Sequence, residues 1–242
     1  MSTEHSITVI ADGEPLEGDL TLPLDAKGIV LFAHGSGSSR HSPRNRLVAR
    51  TLNHAGIATL LFDLLTVEEE AQDTAGRFRF DIGLLADRLI KVTDWVQEVP
   101  ERQALHLGYF GASTGAAAAL VAAAERPGIV RAVVSRGGRP DLAFGALDRV
   151  LAPTRLVVGG EDREVLALNQ RARLRLRHSD LVIVPGATHL FQEPRALEQV
   201  AALAVDWFTR HLVNASHERA GAPEGPGSAS LRREVRHERA PS

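Results

Sequence analysis

Residues 107–119 read LGYFGASTGAAAA, and this stretch decides the fold. An apolar run ends at Phe110, a G-x-S-x-G turn covers residues 111–115, and an alanine-rich segment follows directly. A serine at such a turn lies between a strand and a helix, where small neighbours are needed because the two elements crowd each other. The pattern predicts that Ser113 projects its hydroxyl from the carboxyl end of a strand. The alternative interpretation is a glycine-rich turn whose helix N-terminus binds an anion.

Six short apolar runs predict the strands of a parallel sheet. Their polarity does not alternate, which is typical of strands buried on both faces. Segments of helical periodicity separate them, and this alternation of strands and helices indicates an α/β fold. The predicted strands are residues 28–33, 58–62, 105–110, 130–134, 156–159 and 181–184.

The segments around these strands also carry local signals. Residues 6–10 and 19–22 flank an Asp-Gly turn and predict an antiparallel hairpin at the edge of the sheet. Ser42, followed by proline, predicts the start of a helix that ends at Gly56. Asp81 is predicted to cap a longer helix with one apolar face.

The serine hydroxyl requires partners, because it is a weak nucleophile at neutral pH. A histidine must take its proton, and an acid must orient that histidine. In folds with this turn the chain order is serine, acid, histidine. Asp162 and His189 each follow a predicted strand downstream of Ser113, and loops after parallel strands open on one edge of the sheet. We therefore predict a Ser113-His189-Asp162 triad, with Asp141 as the alternative acid.

A second glycine-rich loop, HGSG at residues 34–37, follows the first predicted parallel strand. A tetrahedral intermediate needs two N–H donors aimed at its oxygen. In folds with the serine turn, one donor follows the nucleophile and the other comes from this early loop. The predicted oxyanion donors are therefore the backbone N–H groups of Thr114 and Ser36.

The early loop also supports a rival interpretation. With Asp63 after the next strand, it resembles a dinucleotide-binding fingerprint. Arg40 occupies the position of the third glycine, however, and the single tyrosine, Tyr109, is followed four residues later by Ser113 rather than lysine. These departures disfavour a dehydrogenase. The sequence also has neither a phosphate-binding P-loop nor metal ligands at helical spacing, so we expect no cofactor and no metal.

Composition excludes several function classes. The chain has 242 residues, of which 44% are apolar and 24% charged, as in an ordinary globular protein. Its 30 acidic and 28 basic residues leave a net charge of -2, so we expect neither a nucleic-acid nor a membrane partner. The absence of cysteine excludes disulfides and thiolate catalysis. Acidic residues recur in the first twenty positions, so no signal peptide is expected and a cytoplasmic location is predicted.

The composition changes near the C-terminus. Residues 1–213 are predicted to form the folded domain, and residues 214–242 a disordered tail. Only Leu231 and Val235 are large apolar residues in that tail, which cannot bury enough surface to offset the entropy of ordering it.

Together, the serine turn, the early loop, the acid and the histidine resemble the α/β-hydrolase fold over about residues 5–212. HGSGSSRH at residues 34–41 and LLFDLLT at residues 60–66 are similar to the dienelactone-hydrolase-like branch. The resemblance implies a mostly parallel sheet with helices on both faces and hydrolysis of an ester, lactone or thioester through an acyl-enzyme. Dienelactone hydrolases proper use a cysteine nucleophile, whereas this chain has Ser113. Their carboxylated lactone substrate therefore does not carry over.

The connections at the predicted site have a bearing on the substrate. Residues 135–155 are too few for a cap domain, so this connection and residues 64–80 should roof the pocket. Four arginines are predicted in loops that open toward the site, where a guanidinium can hold a carboxylate or phosphate. They are Arg40, Arg77, Arg136 and Arg139. We therefore expect an anionic small-molecule substrate, and the alternative is that these arginines form surface ion pairs.

Two functional hypotheses follow from the sequence. The first is a serine hydrolase that acts as a monomer or homodimer on a small ester, lactone or thioester. The second is a non-catalytic module with the same fold that binds a ligand or regulates a partner. The presence of all three triad residues in the expected order favours the hydrolase.

Overall fold

Eight strands form one sheet in the computed structural model, which describes residues 2–214. They are β1 (Ser2–Ala11), β2 (Glu14–Pro23), β3 (Gly28–Ala33), β4 (Ala58–Phe62), β5 (His106–Ala112), β6 (Val130–Arg136), β7 (Thr154–Gly159) and β8 (Ser179–Val184). The order across the sheet is β1-β2-β4-β3-β5-β6-β7-β8. Strands β3 to β8 are parallel, and β1 and β2 form an antiparallel hairpin at the edge, so the predicted fold class is confirmed.

Seven helices connect the strands in the described part of the chain. They are α1 (Pro43–His54), α2 (Val67–Gln72), α3 (Ile82–Glu98), α4 (Pro100–Gln103), α5 (Thr114–Glu125), α6 (Arg163–Arg173) and α7 (Ala196–Phe208). Single 3-10 turns lie at Pro140–Ala143 and Leu147–Arg149, and a π-helical turn at Thr209–Val213 extends α7. Ser42 and Asp81 cap α1 and α3 as predicted. Across residues 2–214, no helix has both the length and the apolarity that a bilayer crossing requires.

The helices cover both faces of the sheet. On one face, Leu85 and Leu89 of α3 pack with the alanines of α5 in one apolar core. On the other face, Leu52 of α1 and Val200 of α7 belong to a second core. Because both faces of the parallel strands are covered, functional side chains can reach solvent only from the loops at the strand ends.

The carboxyl ends of two strands differ from the predicted ones, and the starts of β5, β7 and β8 differ by one or two residues. β3 and β4 have the predicted bounds, but β5 and β6 each continue two residues further, through Ala112 and Arg136. The hydrogen-bond ladder pairs these two residues, and a ladder depends on the backbone rather than on side-chain polarity. Arg136 is therefore the last residue of a strand and is buried, which corrects its predicted place in an open loop.

The connection from β6 to β7 holds only the two 3-10 turns, so no cap domain is inserted there. Of the predicted tail, Asn214 alone is described, and its N–H donates to the carbonyl of Thr209 at 3.0 Å. Residues 215–242 lie outside the described residues, and the predicted disorder of the tail stays a prediction.

Candidate active site

Ser113 lies at a strained turn between β5 and α5. Its backbone has φ of 51° and ψ of -119°, a left-handed conformation that is uncommon for any residue except glycine. Its N–H donates to the carbonyl of Arg136 at 3.2 Å, and its carbonyl accepts from the N–H of Arg139 at 3.1 Å. The end of β6 and the loop after it therefore hold the strained backbone on both sides, which gives the predicted nucleophile a fixed position.

Two glycines flank this turn, and each allows a backbone contact that a side chain would prevent. A Cβ on Gly111 would lie 2.4 Å from the Cα of Ala116 at the start of α5. A Cβ on Gly115 would lie 2.2 Å from the carbonyl oxygen of Ala33 and 2.3 Å from that of His34. The glycines thus allow α5 to begin directly against both β5 and the early loop.

The early loop contacts the serine turn through its backbone. The N–H of Ser36 donates to the Thr114 hydroxyl at 2.9 Å. A Cβ on Gly35 would lie 3.1 Å from the Cβ of Ser113. The structure therefore brings the two residues of the predicted oxyanion donors into contact, and Thr114, as the first residue of α5, has no acceptor for its own N–H within the helix.

His34 positions the early loop, a role that the sequence analysis missed. Its Nε2 accepts from the N–H of Leu64 at 3.0 Å, and its Nδ1 faces the Gly35 carbonyl at 3.0 Å. Since Nε2 must accept, the proton of the neutral ring lies on Nδ1 and is donated to Gly35. Burial lowers the pKa of His34, which favours this neutral form. The only sequence signal was a histidine directly after a buried strand.

His189 and Asp162 form a hydrogen-bonded pair. His189 Nδ1 lies 2.6 Å from Asp162 Oδ2, and the side chains are 38% and 14% exposed, respectively. The carboxylate is thus largely enclosed, while the imidazole remains open to a substrate. A Cβ on Gly137 would lie 3.5 Å from the His189 ring. Because the loop that begins at Gly137 also binds the backbone of Ser113, the serine turn and the histidine share one support.

Backbone contacts hold the acid and histidine loops together. The N–H of Glu161 donates to the carbonyl of Ala187 at 3.0 Å, and that of Gly160 to the carbonyl of Val184 at 2.9 Å. Two residues after His189, Phe191 has φ of 55° and is 1% exposed. This buried ring anchors the histidine loop in the core.

Asp141, the alternative acid, is occupied elsewhere. Its carboxylate accepts two hydrogen bonds from Arg139, at 2.8 and 2.7 Å. This pairing lowers the pKa of Asp141. The geometry therefore favours Asp162 as the acid.

The four predicted anion-binding arginines have different surroundings. Arg139 is paired with Asp141, and Arg40 forms an ion pair with Asp63. Arg77 is exposed, with its guanidinium 5.7 Å from the centre of the Phe78 ring. Arg136 is buried, and its Nε and Nη1 atoms have no hydrogen-bond partner.

A cavity of about 230 Å³ opens beside the early loop. Ser36 and Ser38 line one side, and Leu65, Leu85 and Arg79 lie among the residues of the other. The cavity therefore combines hydroxyl groups, aliphatic surface, the Arg79 guanidinium and the Glu70 carboxylate beside the early loop.

Ion pairs hold the roof of this cavity, the loop at residues 64–80. Asp73 accepts from the N–H of Phe78 at 3.0 Å and from the Nε of Arg79 at 2.9 Å. Despite the burial of the carboxyl, these bonds lower the pKa of Asp73 to about 2. Glu69 pairs with the buried Arg88, whose Nη1 also donates to the Leu64 carbonyl at 2.7 Å. The sequence analysis missed these anchors.

Among the described residues, no group of three or more histidine and carboxylate side chains is gathered in a way that could hold a metal ion.

The chain resembles known proteins over most of its described length. The model of the dienelactone hydrolase family matches residues 16–213. The crystal structure of a dienelactone hydrolase from Anabaena variabilis is 58% identical, with a TM-score of 0.86, and the match covers 87% of this chain and 99% of that one. Est1E from Butyrivibrio proteoclasticus has a TM-score of 0.70 at 17% identity, covering 83% of this chain and 96% of that one. At 17% identity, the match to Est1E supports the fold alone. Together with the family match, it confirms the predicted α/β-hydrolase fold.

Curated relatives carry a different name. A protein of Mycobacterium tuberculosis called "Putative phosphoribosyl transferase" is 60% identical over 210 residues, which is 86% of this chain and 47% of that protein. The chain thus spans about half the length of the curated relatives it matches.

Proposed function

The chain belongs to the dienelactone hydrolase family, and from that premise we propose that it hydrolyses a small carboxylic ester, lactone or thioester with Ser113 as nucleophile. The observation that carries the proposal is the 2.6 Å contact between His189 and Asp162. These two residues are 27 positions apart in sequence, and the loop that lies against the His189 ring at Gly137 also bonds to the backbone of Ser113 through Arg139. An oriented imidazole beside a strained serine turn serves acyl transfer.

The first half of the reaction forms an acyl-enzyme. The Ser113 oxygen attacks the carbonyl carbon of the substrate, while His189 Nε2 takes the hydroxyl proton. Asp162 accepts from Nδ1–H, which keeps Nε2 free to act as the base and stabilises the imidazolium. Collapse of the tetrahedral intermediate breaks the bond to the leaving group, which receives the proton from Nε2. The products of this half are an acyl-serine and an alcohol or thiol; for a lactone, the alcohol stays attached to the acyl chain.

The second half returns the enzyme to its starting state. His189 takes a proton from water, whose oxygen attacks the acyl-serine carbonyl. The second tetrahedral intermediate releases a carboxylic acid, and His189 returns the proton to the Ser113 oxygen. Each half passes through one oxyanion, so the same donors serve both.

The oxyanion donors are the N–H groups of Thr114 and Ser36. In the free protein the Ser36 N–H donates to the Thr114 hydroxyl, and the substrate oxygen takes the place of that hydroxyl as acceptor. Gly35 allows this approach because it has no side chain between the early loop and Ser113. Donors fixed before the reaction need little reorganisation when the charge develops.

The test is covalent labelling combined with a substrate panel. A fluorophosphonate should label Ser113, as mapped by mass spectrometry, and Ser113→Ala should lose both the label and, by a factor on the order of 10⁴ or more, ester hydrolysis. The panel includes p-nitrophenyl esters of several chain lengths, lactones and thioesters. Ser6→Ala, which changes an exposed serine on β1, is the matched control.

Two outcomes would contradict the proposal. A label on another residue would refute the nucleophile, and a chain that binds the esters without turnover would be the non-catalytic module. The name of the curated relatives suggests phosphoribosyl transfer, so the panel also includes 5-phosphoribosyl diphosphate. Release of diphosphate without ester cleavage would favour that activity over hydrolysis.

A further inference from the structure

Arg136 is a buried cation without an anionic partner. It is 7% exposed, and its Nε and Nη1 atoms are enclosed without a hydrogen-bond partner. The ion pairs formed within residues 2–214 do not include it. A buried charge is normally retained only where another charge or hydrogen bonds compensate for lost hydration. An anion from outside the described residues would supply that compensation.

Arg44 is a second cation with an unpartnered N–H group, and its side chain as a whole is half-buried. It lies in the first turn of α1, a twelve-residue helix with no acidic residue in that turn. Its Nε is also buried without a partner, and it forms no ion pair with any described residue. Arg136 and Arg44 thus combine an enclosed N–H group that no described acceptor uses with the lack of an ion pair among the described residues, whereas Arg40, whose Nε is enclosed too, is paired with Asp63.

The fold brings these two arginines to one side of the sheet. Ala132 and Val134 of β6 pack in the same core as Val48 of α1. Because side chains alternate along a strand, Arg136 lies on that face too, at its carboxyl end. Burial, together with the nearby charge of Arg44, lowers the pKa of Arg136 to about 10. Arg136 nevertheless remains charged at neutral pH.

We propose that Arg136 and Arg44 form a binding site for one small oxyanion, a carboxylate or a phosphate group, on the α1 side of the sheet. Guanidinium groups bind such anions through paired N–H donors, and enclosure from water strengthens each bond. The anion compensates for the burial of Arg136 and relieves the repulsion between the two cations.

The backbone of Arg136 is adjacent to that of the nucleophile. The carbonyl of Arg136 accepts from the N–H of Ser113, and Arg136 pairs in the sheet with Ala112. An anionic group of a substrate could therefore occupy the site while its carbonyl reaches Ser113. Binding of the anion does not depend on the proposed hydrolysis, and only its assignment to a substrate rests on that function.

The test measures binding through thermal stability. Inorganic phosphate or acetate, added at constant ionic strength, should raise the melting temperature of the wild type. At concentrations above the Kd of the anion, the rise should be proportional to the logarithm of the anion concentration. Arg136→Met should lose this rise, and Arg44→Met should lose at least half of it. The matched control, Arg50→Met, removes an exposed arginine of α1 and should keep the full rise. Ser113→Ala should keep it as well.

The proposal is overturned if neither anion stabilises the wild type, or if Arg136→Met and Arg44→Met respond as the wild type does. If Arg136→Met does not fold, the response of Arg44→Met alone decides whether the proposal stands. Because Ser113→Ala is tested in the same way, a failed hydrolase proposal leaves this result intact.

A second measurement identifies the source of the anion. If it belongs to the substrate, Arg136→Met should lower the ratio of kcat/KM for a carboxylated ester to that for its neutral analogue at least tenfold. Phosphate should then compete with the carboxylated ester. If phosphate stabilises the protein but neither effect occurs, the site binds a free anion, and the proposed site still stands.

Discussion

Substituting Gly115 with alanine should displace the early loop and impair catalysis. The added Cβ would lie 2.2 Å from the carbonyl oxygen of Ala33 and 2.3 Å from that of His34, whereas ordinary contacts begin at 3.4 Å. Restoring an ordinary contact distance therefore requires a shift of about 1 Å between α5 and the segment that contains Ala33 and His34. Both obstructing atoms belong to the backbone, so a change of rotamer cannot relieve the clash. The displaced segment leads directly to Ser36.

Two opposing terms determine the magnitude. Alanine is favoured over glycine in a helix interior by up to about 1 kcal/mol, and by less at the second helical position, where Gly115 lies. Overpacking of a close contact costs about 1–3 kcal/mol. The steric term should win, and the free energy of unfolding should fall by about 1–2 kcal/mol. A misplacement of about 1 Å in a reacting group can lower the rate about 10²-fold, which is the larger expected effect.

The assays are urea denaturation, ester hydrolysis and the rate of fluorophosphonate labelling. Gly145→Ala is the matched control, because a Cβ at Gly145 meets no heavy atom within 4 Å. It should keep the stability and labelling rate of the wild type. If Gly115→Ala also keeps both, then the close approach of α5 to the early loop does not set the position of the oxyanion donors, and this part of the mechanism is wrong.

Three further predictions concern the acid, the buried histidine and the roof loop. Asp162→Asn should lower kcat for an ester by a factor on the order of 10³–10⁴, as loss of the orienting acid does in other enzymes with such a triad. Asp141→Asn should change kcat less than tenfold. The reverse result would assign the role of the acid to Asp141. Burial lowers the pKa of His34, so below about pH 6.5 the unfolded chain binds more protons than the folded one. The free energy of unfolding should therefore fall as the pH drops from 7.5 to 5.5, and His34→Gln should reduce this dependence on pH. Equal slopes for the wild type and the variant would contradict the inference. Asp73→Asn should release Arg79 and raise KM severalfold with a smaller change in kcat; an unchanged KM would show that the roof loop does not contact the substrate.

The fold was predictable because buried parallel strands leave a strong signal. The runs at β3 and β4 are continuous and apolar, so their predicted bounds agree with the structure. The carboxyl ends of β5 and β6 were missed because the serine motif begins at Gly111 and because Ser135 and Arg136 are polar, whereas the backbone ladder continues through Ala112 and Arg136. An apolar pattern in the sequence indicates that a strand is buried. It does not show which residues pair at the strand ends, because that pairing depends on the register of the backbone hydrogen bonds.

The candidate site was predictable to the extent that its residues follow from fold order. A serine turn, an acid and a histidine after successive strands must reach one sheet edge, so Asp162 and His189 could be proposed together. The sequence favoured Asp162 over Asp141 by its place in the loop, but it could not show that Arg139 pairs with Asp141. Asp73 was missed for a related reason, since its partners lie five and six residues away in an irregular loop with no periodicity.

Neighbouring acids determine what the arginines near the site can bind. A count of loop cations suggested a broadly positive rim, but Arg40 and Arg139 are each neutralised by a carboxylate, and the charge of Arg77 is exposed to solvent screening. Arg136, the most buried of the four, has no anionic partner among residues 2–214, and neither does Arg44. The positive charge that a ligand could use is therefore concentrated at one enclosed place. It follows that an anion should be recognised by fixed donors of matching geometry rather than by a diffuse field, and that its binding should resist salt more than binding at an exposed rim would.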